Sequence, residues 1–227
     1  MSRIFKLNKD PYDTCEILFK KKEVEILPGV TVLVGCNGTG KTTLLSTIKR
    51  RLNYMDGPEY LCIKYDNVKD GGSRAQSRAG FYGDFTTLAT AMCSSEGEEI
   101  TIHLGNKARE IGSMIRRHPD IKELWLLFDA IDSGLSINNI VDVKEYLFKP
   151  IIEDCAKNNI EVYIIVSANS YEMASGEQCL DVANCKYREF KTYTAYKNFI
   201  LRSAKQRESR IEKGAEKSKK KKEKETW

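Results

Sequence analysis

Near the start of the chain, hydrophobic and polar positions alternate; further on, they give way to apolar runs. Arg3 to Lys9 (RIFKLNK) and Glu16 to Leu27 (EILFKKKEVEIL) alternate, which predicts strands with one covered face. Pro28-Gly29 punctuates the pattern. Val30 to Gly35 (VTVLVG), Glu123 to Asp129 (ELWLLFD) and Glu161 to Ala168 (EVYIIVSA) are then apolar at successive positions, as strands buried on both faces of a sheet must be. Glu59 to Asp66 (EYLCIKYD) reads as a further strand.

Helical spacing fills the intervals. Leu44, Leu45 and Ile48 give an inner face to a helix running from Lys41 to Leu52. Ile100, Leu104, Ala108, Ile111 and Ile115 predict a long amphipathic helix over Glu96–Arg117. Ile137 to Lys157 reads as helical with a break at Pro150, and Phe81 to Cys93 as a short helix. Asn67 to Gly80 is polar and glycine-rich, which predicts a loop. Cys179 to Phe190 predicts a hairpin turning at Ala183-Asn184, with a helix from Tyr193 to Lys213 after it. Strands alternating with helices imply an α/β fold. A central, mostly parallel sheet is flanked by helices, with an N-terminal antiparallel β-subdomain and a small helical lid. The expectation is one domain over residues 1–204, with residues 205–227 continuing as an extended helix and then a disordered tail.

Charge sharpens this division. The formal net charge is +5, and from Lys205 onward ten Lys and Arg stand against five Glu, so the preceding residues sum to zero. A basic tail suggests nucleic acid, although its interleaved glutamates also suit a solvated helix. No apolar run approaches the ~20 residues that span a bilayer, and the first residues lack a signal-peptide core. The expectation is a cytoplasmic protein without direct membrane insertion. Seven cysteines without a C-x-x-C pair read as reduced, mostly buried thiols, and two histidines leave little for a zinc site.

The chemistry is concentrated after the first apolar run. GCNGTGKT matches G-x-x-x-x-G-K-S/T with Gly35, Gly40, Lys41 and Thr42 at the fixed positions. Glycines let successive N–H groups turn toward phosphate oxygens, and the helix beginning there aims its positive end at them. Lys41 is placed for the β- and γ-phosphates and Thr42 for Mg²⁺, with Asn37, Gly38, Thr39 and Thr43 completing the cradle. Asp129, at the end of LWLLFD, is the expected second partner of that Mg²⁺. These features predict a P-loop NTPase architecture.

With these motifs the chain resembles ABC-type ATPases of the RecF and SMC branch over roughly residues 1–175. NGTGKTTLL is typical of that class, CSSEGEE (Cys93 to Glu99) resembles its signature motif, and FDAIDSGLS resembles its metal-binding aspartate and D-loop. Gln76 falls where the family's Q-loop glutamine contacts nucleotide and metal, and Asn169 where its switch histidine stands. The resemblance implies a homodimer that sandwiches two ATP molecules head to tail. Ser95, Glu96 and Gly97 of one subunit would then approach the γ-phosphate held by Lys41 of the other. SSEGEE also reads as a helix N-cap, Ser94 or Ser95 capping ahead of Glu98, and both readings are compatible. The segment between Lys41 and Ser95 has no sustained heptads, so this would be a head without the coiled-coil arm.

Two positions depart from the family. The water-activating glutamate is replaced by Ala130 and the switch histidine by Asn169. An engineered change would explain Ala130 but not Asn169, so a natural pair of changes is the simpler reading. Asp132 offers a substitute carboxylate of different direction and reach. Loss of a water-activating group costs roughly 10²- to 10⁴-fold. The expected function is therefore Mg-ATP binding and dimerisation with slow hydrolysis, acting in DNA repair, replication or recombination, for instance on behalf of a phage or mobile element. DNA would be met through the tail or through Arg74 and Arg78 of the glycine-rich loop. An alternative is a non-hydrolysing switch regulating a protein partner. The energy subunit of a transporter is the reading the signature and tail disfavour. Phe5 and Tyr12 are the aromatic candidates for base stacking.

Overall fold

The computed structural model describes residues 1–7, 19–54, 59–67 and 96–225. The predicted short helix over 81–93, and with it the helical lid, lies outside these residues, as do Tyr12, Gln76, Ser95, Arg74 and Arg78. The elements in chain order are β1 (Arg3–Lys6), β2 (Glu23–Ile26), β3 (Gly29–Val34), α1 (Lys41–Leu52), β4 (Tyr60–Asp66), α2 (Glu96–Arg117) and β5 (Glu123–Asp129). Next come α3 (Ile137–Val143), a π-helical turn (Lys144–Phe148), α4 (Lys149–Lys157), β6 (Glu161–Ser167), α5 (Tyr171–Ala174), β7 (Gln178–Asp181), β8 (Lys186–Arg188) and α6 (Tyr193–Glu225).

Six strands form one sheet in the order β4-β5-β6-β3-β7-β8, and β1 pairs with β2 in a separate antiparallel ribbon. The pairings β4–β5, β5–β6, β6–β3 and β3–β7 are parallel, and β7–β8 is the antiparallel hairpin expected from the sequence. The strand that leads into the glycine-rich loop (β3) and the strand that ends in Asp129 (β5) thus flank β6 and are not neighbours.

Alternation along the strands divides the interior into two layers. Val30, Val32, Val34, Leu126, Phe128, Ile164 and Val166 face α2, α3, α4, α5 and the first turns of α6. Leu33, Trp125, Leu127, Tyr163 and Ile165 face α1 and the β1–β2 ribbon, where Leu44, Leu45 and Ile48 meet Phe5, Val24 and Ile26. Both layers are needed because every residue of β5 is buried.

Several boundaries differ from the sequence reading. Among its described residues the second alternating segment forms a strand over Glu23–Ile26, because Lys20, Lys21 and Lys22 make a bend. Pro150 does not break its helix. The π-helical turn ahead of it gives the chain a wider turn, and Pro150 falls in the first turn of α4, where its missing N–H has least effect. α6 continues to Glu225 rather than ending at Lys213, in keeping with its Lys, Glu and Ala content. Burial pushes the thiols of Cys62 and Cys155 up to about 11 and that of Cys179 to about 12, which favours the protonated thiol at neutral pH. No described helix is long and apolar enough to cross a membrane.

Candidate functional site

The carboxyl ends of β3, β5 and β6 converge on a cavity of about 340 Å³. Asn37, Gly38, Gly40, Lys41, Thr42 and Thr43 line it from the loop and α1, Asp129 and Ala130 from β5, and Ser167 and Asn169 from the end of β6. Open parallel sheets bind ligands at this edge.

α1 begins without a side-chain cap. Its N-cap is Gly40, at φ 94°, and the first turn holds no acidic residue. The amides at this helix start are therefore left for an anion, with the helix dipole behind them. Lys41 is 8% exposed and donates to the carbonyl oxygens of Gly35 at 2.8 Å and Cys36 at 3.4 Å. Those bonds use two of its three protons and hold the ammonium over the loop. Burial pushes the Lys41 ammonium below the usual lysine range, and Cys36, Asp132 and Asp129 oppose that shift. The buried Thr39 pins the loop from within, its hydroxyl donating to Cys36 O at 2.8 Å.

The Thr42 hydroxyl donates to Asp129 Oδ1 at 3.1 Å, joining two motifs 87 residues apart in sequence. Two oxygen donors side by side suit a hard cation that takes its remaining ligands from water and phosphate, as Mg²⁺ does. Among the described residues no group of three or more His, Cys, Asp or Glu could hold a metal without such help.

Ala130 adopts φ 53°, the left-handed region, which is unusual for a residue with a Cβ. The turn is held by the N–H of Ser133 donating to Ala130 O at 3.1 Å and by Asn67 Nδ2 donating to the carbonyl oxygens of Ala130 (3.2 Å) and Ser133 (2.7 Å). Asp132 stands behind the cavity. Its Oδ2 accepts from the N–H groups of Asn169 and Ser170, both at 2.7 Å, while Oδ1 is buried without a partner. Asp132 is thus a bracket between the β5 turn and the end of β6. Asn169 is exposed at the cavity, and its backbone carbonyl accepts from the Tyr196 hydroxyl at 2.8 Å.

Of the residues expected from sequence, the structure brings together the loop Gly35–Thr43, Asp129 and Asn169. Glu96 and Gly97 open α2, and Ser95 and Gln76 lie outside the described residues. Phe5 is a core residue: it is 1% exposed and meets Trp125 edge-on at 5.4 Å, so it cannot stack on a base. Sequence reasoning missed Ser203 of α6, whose Oγ accepts from the Cys36 N–H at 3.2 Å, and Arg207, which lies against Gly38. It also missed Ser167, whose hydroxyl accepts from the Ala130 N–H at 3.4 Å.

No protein-family model matches the chain, and no curated protein shows significant similarity to it.

Proposed function

We propose that this chain binds a nucleoside triphosphate, most simply Mg-ATP, in the loop between β3 and α1, and acts as a nucleotide-gated homodimer that turns ATP over slowly. The observation that carries this reading is the convergence of Lys41, Thr42 and Asp129 at an uncapped helix start. Lys41 would neutralise the outer phosphates, the amides of α1 would bind them, and Thr42 with Asp129 would hold the cation, which supplies charge neutralisation when bound. The order β5-β6-β3, with the two motif strands flanking a third, is compatible with the P-loop ATPase architecture that the motifs suggest.

Slow turnover is supported by the groups that face the cavity. The position after Asp129 offers a methyl group, and Asn169 can donate a hydrogen bond but carries no charge. The substitute carboxylate, Asp132, has one oxygen committed to two amides and the other shielded from solvent. A group so engaged is poorly placed to take a proton from water. The helix that bears the basic tail touches the same loop, which favours a role in which nucleotide occupancy is relayed to a partner; a nucleic acid phosphate backbone fits that charge.

Titration calorimetry tests the reading. Wild type is expected to bind Mg-ATP, Lys41→Ala to lose at least about 100-fold in affinity, and light scattering to report a dimer with ATP. No heat from wild type would remove the nucleotide function. Steady turnover above about 1 s⁻¹, within the ordinary enzyme range, would remove the slow-hydrolysis part.

A further inference from the structure

The final helix returns across the sheet to the glycine-rich loop. Tyr196 and Phe199 are buried in the core and anchor its first turns. Tyr196, Ser203 and Arg207 then fall on one stripe of α6, spaced seven and four residues apart. Each touches a segment that frames the cavity: Tyr196 the backbone O of Asn169 at 2.8 Å, Ser203 the Cys36 N–H at 3.2 Å, and Arg207 the loop at Gly38.

The last contact is the closest fit. A Cβ at position 38 would lie 2.7 Å from Arg207 Nε and Nη2, so the guanidinium occupies the space that a side chain there would need. Gly38 also has φ 77°, so the loop's bend favours glycine, and a side chain there would displace the guanidinium from its present seat. Arg207 is half-buried, and no carboxylate among the described residues pairs with it. An unpaired, partly desolvated guanidinium beside an anion-attracting loop is an electrostatic complement in search of a partner.

We propose that Arg207 is a phosphate ligand supplied in cis, meeting the terminal phosphate of a nucleoside triphosphate held by the loop. The inference rests on the nucleotide reading above. Lys41 has one proton left after its bonds to Gly35 and Cys36, too few to cover a terminal phosphate, whereas a guanidinium brings a planar fork of five donors. A polyphosphate seated with its inner groups over Gly40–Thr43 carries its last phosphate toward the loop tip at Gly38. The same bond would tie the position of α6, and so of the basic tail, to the presence of that phosphate.

The test is calorimetry with Mg-ATP and Mg-ADP on the full chain as wild type, Arg207→Gln, Arg207→Lys and Lys41→Ala, with thermal melting of each protein without nucleotide. The expected result is an ATP affinity about 10-fold weaker for Arg207→Gln, a smaller loss for Arg207→Lys, ADP affinity nearly unchanged in both, and melting unchanged. Wild-type ATP affinity in Arg207→Gln, with binding lost in Lys41→Ala, overturns the Arg207 assignment and leaves the nucleotide site standing. Equal losses for ATP and ADP together with lower melting in both Arg207 variants also overturn it, since Arg207 would then be structural. No binding of ATP by wild type overturns both.

Discussion

Strand β5 begins and ends with a buried carboxylate, and the two have different surroundings. Glu123 and Asp129 are each 4% exposed. Glu123 is engaged on both oxygens: Oε1 is ion-paired with Arg3, and Oε2 accepts from Trp125 Nε1 at 3.0 Å. Trp125 in turn stacks on Tyr163 with ring centroids 3.9 Å apart, and Phe5 closes its edge. Asp129 accepts one side-chain hydrogen bond among the described residues, from the Thr42 hydroxyl, and otherwise faces a cavity. A carboxylate fixed by a guanidinium and an indole is part of the scaffold, here stitching the β1–β2 ribbon to the sheet. One left with a rotatable hydroxyl beside an open space keeps its charge available for a cation.

Substitutions can break this contrast. Glu123→Ala leaves the Trp125 N–H and the Arg3 guanidinium without their acceptor and should cost about 3 kcal/mol of stability, read from urea unfolding, with nucleotide affinity unchanged. Asp129→Asn should do the reverse: roughly 30-fold weaker Mg-dependent ATP binding, about 2 kcal/mol, with urea midpoints close to wild type. Equal stability losses in the two variants would make Asp129 another scaffold carboxylate. Ala130→Gly should stabilise the fold by about 0.5 kcal/mol, since relief of the left-handed conformation outweighs the added chain entropy; a loss instead would mean that the Ala130 methyl packs usefully.

The smallest effect concerns Lys41. Its folded pKa is depressed by burial, so the unfolded chain binds the proton more readily. The penalty is present at neutral pH and fades as pH rises toward the ordinary lysine value, so this group's contribution grows with pH. Lys41→Met should therefore be more stable than wild type at neutral pH, and the difference should shrink in alkaline buffer. A constant difference would mean that burial of the charge is not its cause.

Much of the scaffold was legible because its signals are local. Apolar runs ending in Gly35, Asp129 and Ala168 mark three strands whose carboxyl ends meet at the cavity, and the glycine-rich loop marks the passage from β3 into α1. Other features depend on partners distant in sequence. The stripe of Tyr196, Ser203 and Arg207 announces an inner helix face without saying that it faces residues 36, 38 and 169. Alanine gives no warning of a left-handed turn, since glycine or asparagine is the usual marker. Asp132 reads equally as base or bracket until the amides of Asn169 and Ser170 are located. Pro150 argued for a break because a single chain pattern does not reveal a π-helical turn ahead of it.

The helix α6 reaches far beyond its contact with the glycine-rich loop. Between the seat at Gly38 and the end of the helix at Glu225 lie 18 residues, about 27 Å of helix at 1.5 Å per residue. The basic segment is thus carried up to about 27 Å along the helix from the loop, beyond the ~8 Å over which exposed charges are felt at physiological salt.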